Sequence, residues 1–350
     1  MATRRSGIAL TGLVAKSIWF AARLRSPRTR GLAASTMPSV RVETANPLPP
    51  SQRTAATGTA EATGSLQQAL THARRLLESD PALAIQQLDE VLQVVPGHPA
   101  ALQLLAAAHS QQGDLAQAVA VLHQAVRSNP GLPQAWRMLG DALWTEGERE
   151  LARAAYLDHV RHSARDPELL AAGGAMVANR IPEAETLLRG RLRQAPTDVV
   201  AMRMLAEVAA RLDRNEDAAH LLERCLELAP DFQEARWNYA LILHRSNRPA
   251  DALAEIARVL RRDPMHAGCL NLKAAVLCRV GNYEEALALY RELVRDHPDT
   301  VKLWLSHGHA LKTADHVQEA VVAYRRCVEL EPSFGEAWWS LANLKLFRFD

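Results

Sequence analysis

From about residue 65 the chain repeats one pattern. Apolar residues fall three and four positions apart in short runs, with a few polar residues between runs. That spacing predicts amphipathic helices, each with one apolar stripe. The runs keep a register. Ala84, Ala118, Ala152, Ala184, Ala218, Ala252, Ala286 and Ala320 are 34 residues apart, except for one step of 32 between Ala152 and Ala184. Twelve residues after seven of these alanines stands a proline: Pro96, Pro130, Pro196, Pro230, Pro264, Pro298 and Pro332. After Ala152 the proline slips to Pro167.

The positions within one period each have a physical reason. Numbering each unit so that the alanine is its twentieth residue, the fourth is mostly bulky and the eighth is small in all but the first unit. The fifteenth is usually glycine, asparagine or aspartate, and the twenty-fourth is Tyr, Leu or Ile. Small residues let two helices approach closely. The fifteenth residue ends the first helix in a left-handed conformation. The late proline cannot continue the second helix. A single helix pair cannot bury its own stripe, so pairs must stack on their neighbours. Units are expected to start near Ser65, Pro99, Pro133, Arg165, Val199, Gln233, Ala267 and Val301. The unit from Arg165 is the weakest, because Pro182 and the run AAGGAMVA are poor helix material; any break should lie there.

This 34-residue signature, clearest in Trp136, Leu139, Gly140, Gly147, Ala152 and Tyr156, resembles the tetratricopeptide repeat. The resemblance implies an all-α, right-handed superhelical solenoid of about eight repeats over residues 65–334. Residues 335–350 would form the first helix of an incomplete ninth repeat, with Trp338, Leu341, Leu344, Leu346, Phe347 and Phe349 left partly open. That helix is expected to self-associate or to dock a further domain. The run HGHALKTADHVQEAVVAYRRCVELEPSFGEAWWSLANLKLFRF resembles the junction of bacterial tetratricopeptide-repeat sulfotransferases. In that family a catalytic domain follows; none is present here, so no catalytic residue carries over.

In such repeats the second, fifth, ninth and twelfth residues face a concave groove. The candidate protein-binding residues are therefore Arg137, Asp141, Trp144, Arg203, Glu207, Trp237, His244, Asn271, Lys302, His309, Lys312, Trp339 and Asn343. The alternative for Trp144 and Trp237 is packing on the next repeat. A chaperone-tail clamp would need lysine fifth and asparagine ninth in one repeat; Gln103/Ala107, Arg137/Asp141 and Arg203/Glu207 do not match.

Composition narrows the picture further. The net charge of +2 divides unevenly. Residues 1–64 carry nine Lys/Arg against Glu43 and Glu61, hence +7, and the remainder carries −5. A mildly acidic body is a poor partner for nucleic acid. Residues 1–64 read as a disordered, basic leader and linker, with Met37 as a possible true start. The apolar stretch Ile8–Ala22 is interrupted by Lys16 and too short to span a bilayer. Arginine-rich usage, 36 Arg against five Lys, suggests a bacterial source. Cys225, Cys269, Cys278 and Cys327 form no CxxC pair and read as buried free thiols in a reducing, cytoplasmic setting.

No phosphate-cradling, zinc-protease or nucleophile-elbow motif occurs. The close histidine pairs, His159/His162 and His307/His309, lack further metal ligands nearby and read as solvated side chains. Lys273 and His307 occupy the normally apolar seventh place, either satisfied at the repeat edge or marking local polarity. No catalytic residue, metal or cofactor is expected. The sequence points to a non-catalytic protein-binding scaffold, as the recognition half of a sulfotransferase-type protein. A sulfotransferase with its catalytic domain beyond residue 350 and a free-standing adaptor in bacterial secretion or envelope assembly are the alternatives.

Overall fold

A computed structural model describes residues 57–344, with side chains from residue 66 onward. Expectations for residues 1–56, and for Leu346, Phe347 and Phe349, lie outside the described residues. Among those described there are seventeen α-helices and no strand. They are α1 (Thr57–Ser79), α2 (Pro81–Val94), α3 (Pro99–Gln111), α4 (Leu115–Ser128), α5 (Pro133–Glu146) and α6 (Arg149–His162). Then follow α7 (Pro167–Val177), α8 (Ile181–Gln194), α9 (Val199–Arg211), α10 (Asn215–Leu228), α11 (Gln233–Arg245) and α12 (Pro249–Leu260). The last five are α13 (Ala267–Arg279), α14 (Tyr283–Asp296), α15 (Val301–Thr313), α16 (Val317–Leu330) and α17 (Gly335–Ala342). First helices begin at the expected residues in six of the eight units. The exceptions are α1, which starts at Thr57 rather than Ser65, and α7, which starts at Pro167 rather than Arg165.

The described residues form two compact units, one of residues 57–171 with 197–199, the other of 172–196 with 200–344. The division falls inside α7, in the unit where a break was expected. The reason differs in part from the sequence argument. Pro182 does no harm, because it stands in the first turn of α8, where a missing N–H costs nothing. The weakness lies in α7 itself, eleven residues long and preceded by a 3-10 turn at Ser163–Arg165.

Seven of the eight helix pairs are closed by the same turn. The fifteenth residue has positive φ in seven units: Gly113, Gly147, Asn179, Asp213, Asn247, Gly281 and Asp315. The next N–H then bonds back five residues, as in Glu148 to the Leu143 carbonyl (2.9 Å) and His316 to the Leu311 carbonyl (2.8 Å). This satisfies carbonyls that the helix end would leave open.

The loop between units is pinned by the bulky fourth residue. The indole N–H groups of Trp136, Trp304 and Trp338 donate to the carbonyls of Pro130, Pro298 and Pro332 at 2.8, 2.8 and 2.9 Å. Arg236 does the same to the Pro230 carbonyl. A proline has no N–H to give, so its carbonyl is the group the loop can offer.

All eight register alanines are fully buried. In the C-terminal unit one core gathers Leu277, Tyr290, Leu293, Leu303, Leu311, Tyr324 and Leu341 from α13 to α17. A second gathers Trp237, Leu241, Ile256 and Leu272 from α11 to α13. In the N-terminal unit Ala73, Leu88, Leu104 and Leu105 form the core of the first repeats. The closest approaches are at Gly140 and Gly308, eighth in their units. A Cβ there would stand 2.8 Å from Tyr156 Cε1 and 2.5 Å from Tyr324 Cε1. Gly308→Ala should therefore destabilise the C-terminal unit by about 1–3 kcal/mol. Gly335, with nothing within 4 Å of its virtual Cβ, is the control: Gly335→Ala should leave a urea denaturation midpoint unchanged or slightly raised.

Candidate functional site

The thirteen candidate residues divide between the two units. In the N-terminal unit Arg137, Asp141 and Trp144 lie on α5 and are tied into a polar chain. Arg137 bonds Asp141 at 2.6 Å and the Thr197 hydroxyl at 3.4 Å. Tyr156 donates its hydroxyl to Asp141 at 2.8 Å. Trp144 meets Tyr156 edge-on, with ring centroids 6.5 Å apart, and Arg149 stacks 3.9 Å from the Trp144 ring centre. These side chains already have partners, which holds the face in one arrangement.

His159 is the twenty-seventh residue of its unit, a helix-contact place, and it is fully buried. This corrects the expectation of a solvated side chain. Its Nδ1 lies 2.9 Å from the Pro133 carbonyl and its Nε2 3.1 Å from Asp198 Oδ1. The carbonyl only accepts, so Nδ1 carries a hydrogen. Ser163 donates to the His159 carbonyl at 2.6 Å, which answers a carbonyl at the helix end. His162 stacks on Trp136, 6.1 Å between centroids and 7° from parallel.

The C-terminal unit differs. Arg203 and Arg211 share Glu207, at 3.4 and 3.0 Å. Beyond them, polar atoms are buried without hydrogen-bond partners: Trp237 Nε1, His244 Nδ1, Asn271 Oδ1, both ring nitrogens of His307, and His309 Nε2. Trp237, His244 and Asn271 are 6, 4 and 2 % exposed. Trp237 packs on the next repeat, its ring 6.4 Å from that of His266. Burial, with Arg279 and Arg245 close by, lowers the His244 pKa to about 4. His307, 7 % exposed and stacked 5.9 Å from Tyr290 beside Trp304, also falls to about 4, chiefly through burial. It too is a core histidine rather than a solvated one. Its seventh-place counterpart Lys273 is satisfied at the edge by Glu285 at 2.7 Å. His309 bonds the Tyr324 hydroxyl at 2.9 Å and is lowered to about 4 by burial.

Lys302 is half-buried, which lowers its pKa. Lys312, Trp339 and Asn343 are exposed. In α17, Ala337 and Leu341 are buried against the preceding pair, while Trp338 and Trp339 stay about half exposed at 49 and 57 %. Among the described residues Cys225, Cys269, Cys278 and Cys327 form no disulfide. Burial lifts the Cys278 and Cys327 thiols to about 11 and about 12, too high for thiolate chemistry at neutral pH. Among the described residues no group of three His, Cys, Asp or Glu side chains could hold a metal, and no helix is long and apolar enough to cross a membrane.

The buried histidines make the C-terminal unit acid-labile. Each has a folded pKa near 4 against about 6.5 when unfolded. Their neutral burial contributes fully above pH 6.5 and is lost as the pH falls toward 4. Urea denaturation at pH 7.5 and 4.5 should show a loss of ~2–3 kcal/mol per histidine. His307→Leu should remove one such increment from the pH dependence.

Tetratricopeptide repeat family models match residues 75–141, 110–176 and 209–276, residues 265–300, and residues 301–334. No curated protein matches the chain. Similar solved structures include YrrB, a tetratricopeptide-repeat protein with an unusual peptide-binding site (14 % identity, 64 % of this chain and 98 % of that one, TM-score 0.39). The repeat domain of P58(IPK) is 18 % identical over 81 % of this chain and 88 % of that one, TM-score 0.31. A repeat protein from Parabacteroides merdae is 14 % identical over 80 and 98 %, TM-score 0.39. Together the family matches span more than half of the sequence and the helices keep their register: the chain belongs to the tetratricopeptide-repeat proteins.

Proposed function

We propose that the chain is a non-catalytic scaffold whose C-terminal unit binds an extended protein segment along the first helices of its repeats. The observation that carries this reading is the trio of Trp237 Nε1, His244 Nδ1 and Asn271 Oδ1, all buried and all lacking partners. A buried polar atom left unmade costs about 1–3 kcal/mol. All three hold the fifth or twelfth place of two adjacent repeats, and a segment whose binding parts the packing over them would supply the missing donors and acceptors. The exposed Trp338 and Trp339 are the side chains through which α17 would meet a second copy or a further domain.

A second reading rests on the run from His307 to Phe349. Its likeness to the junction of bacterial repeat-containing sulfotransferases supports a role as the recognition half of such an enzyme. Its test is whether the chain alters acceptor choice by a sulfotransferase domain supplied in trans.

The binding reading is tested by selecting phage-displayed random dodecapeptides on the full chain. Asn271→Leu removes the unpartnered oxygen at similar volume. It should leave thermal stability unchanged or raised, and weaken selected peptides by about tenfold or more. A purely structural asparagine would give the reverse, lower stability and unchanged binding. Failure to enrich any peptide that is sensitive to Asn271→Leu would sink the reading.

A further inference from the structure

Within the C-terminal unit, the second helices α8 and α10 and the first helix between them, α9, border a cavity of about 740 Å³. None of the thirteen candidate groove residues lines it. Its floor is Leu205 and Ala209 of α9, both buried, with the half-buried Leu192 of α8 and Leu221 of α10 beside them. The space has a cause in the repeat. Ala209 is eleventh in its unit, and in four other units the eleventh place is a buried leucine: Leu143, Leu243, Leu277 and Leu311. Where those repeats put a leucine side chain, this one leaves room.

Above the apolar floor the walls are charged. Glu185 Oε1 accepts from Arg189 at 2.8 Å and from Arg214 at 2.6 Å. Arg214 stands at the start of α10, so that end of the cavity is tied across to α8, and one carboxylate serves two guanidinium groups. Arg193 lines the same cavity eight residues beyond Glu185, about 12 Å further along the helix. It is exposed and makes no ion pair among the described residues, and the same holds for Asp217 on the opposite wall. Three arginines and two carboxylates therefore share one lining, an excess of one positive charge with His220 left aside. A concave apolar floor with a few charged groups around it is the make-up of a small-molecule site, and such sites usually hold about 300–1,000 Å³.

We infer that this cavity is a binding site for a small amphiphilic monoanion, a carboxylate or sulfonate on a compact apolar body. The headgroup pairs with the Arg193 guanidinium, and the body covers Leu192, Leu205, Ala209 and Leu221. A dianion would exceed the spare charge, and a cation would meet the arginines. The inference is independent of the groove reading above, because the two share no residue.

The test uses the full chain and four probes with the same eight-carbon body, octanoate, octanesulfonate, octanol and octylammonium, compared by calorimetry and ligand-observed NMR. At least one of the two anions should bind about tenfold more tightly than octanol, and octylammonium should be the weakest. The tighter anion names the headgroup. Acetate, with the charge and no apolar body, should not compete. Arg193→Gln, at an exposed place where folding is not at stake, should weaken the anion severalfold and leave octanol unchanged. Ala209→Leu supplies the side chain of the other repeats, and should abolish binding of the anion with the thermal midpoint unchanged or raised. Arg224→Gln, on α10 but outside the lining, should change nothing. Octanol or octylammonium binding as tightly as the anions, effective competition by acetate, or no anion binding at millimolar concentration overturns the inference. So does anion binding that is unchanged by Arg193→Gln or that persists in a folded Ala209→Leu chain. If Ala209→Leu fails to fold, Arg193→Gln decides alone.

Discussion

Two helices approach to about 8 Å only where the side chains between them are small. In this chain that constraint sits at the twentieth place, where every register alanine is fully buried. At Gly140 and Gly308 it tightens until a tyrosine ring from the second helix rests on the backbone of the first. The pair so formed has its stripe still uncovered on one side, so the next pair must supply the cover. Because the turn after the first helix is fixed by one left-handed residue and the loop after the second by a proline, the length of the unit hardly varies. Constant length is what places equivalent residues of successive repeats in line. The recurring places of each repeat follow from the close approach at the alanine.

The two units treat buried polarity differently. In the N-terminal unit Tyr156, Asp141, Arg137 and Thr197 satisfy one another, and His159 is bonded at both nitrogens. Such a network, once complete, holds a single arrangement. In the C-terminal unit the equivalent faces carry Trp237 and Asn271, fifth in consecutive repeats, with one polar atom each unanswered. His307 has neither nitrogen answered and is held by ring stacking and burial. Burial without a partner favours the neutral imidazole, which couples this unit to proton concentration.

Much of the fold was legible because each repeat states the same rule again. The left-handed turn at the fifteenth residue, the close approach at the eighth and twentieth, and the helix starts from Pro99 to Val301 recur often enough to be read without structure. The sequence misled where a residue's meaning depends on its neighbours in space. Pro182 looked like a helix breaker, yet stands where a proline is tolerated. His159 and His307 looked like surface histidines. The first meets Asp198, 39 residues away, and the second lies between rings from two helices. One signal was available for His159: it holds the same twenty-seventh place as Cys225 and Cys327, which are also buried.

A repeat array spreads stability over many similar interfaces, so one unit can carry an unfavourable group while its neighbours hold it folded. That tolerance explains where the exceptions fall. Trp237, His244 and Asn271 lie in central repeats of the C-terminal unit, each flanked by complete pairs with buried alanines, and not in the weak unit around α7. Unpartnered polar atoms in the least stable repeat would open it locally, and a binding surface there would have no fixed shape. In well-packed repeats the same atoms are kept in place at a cost the neighbours offset. Local violations of packing rules inside an otherwise consistent structure are where function is expected.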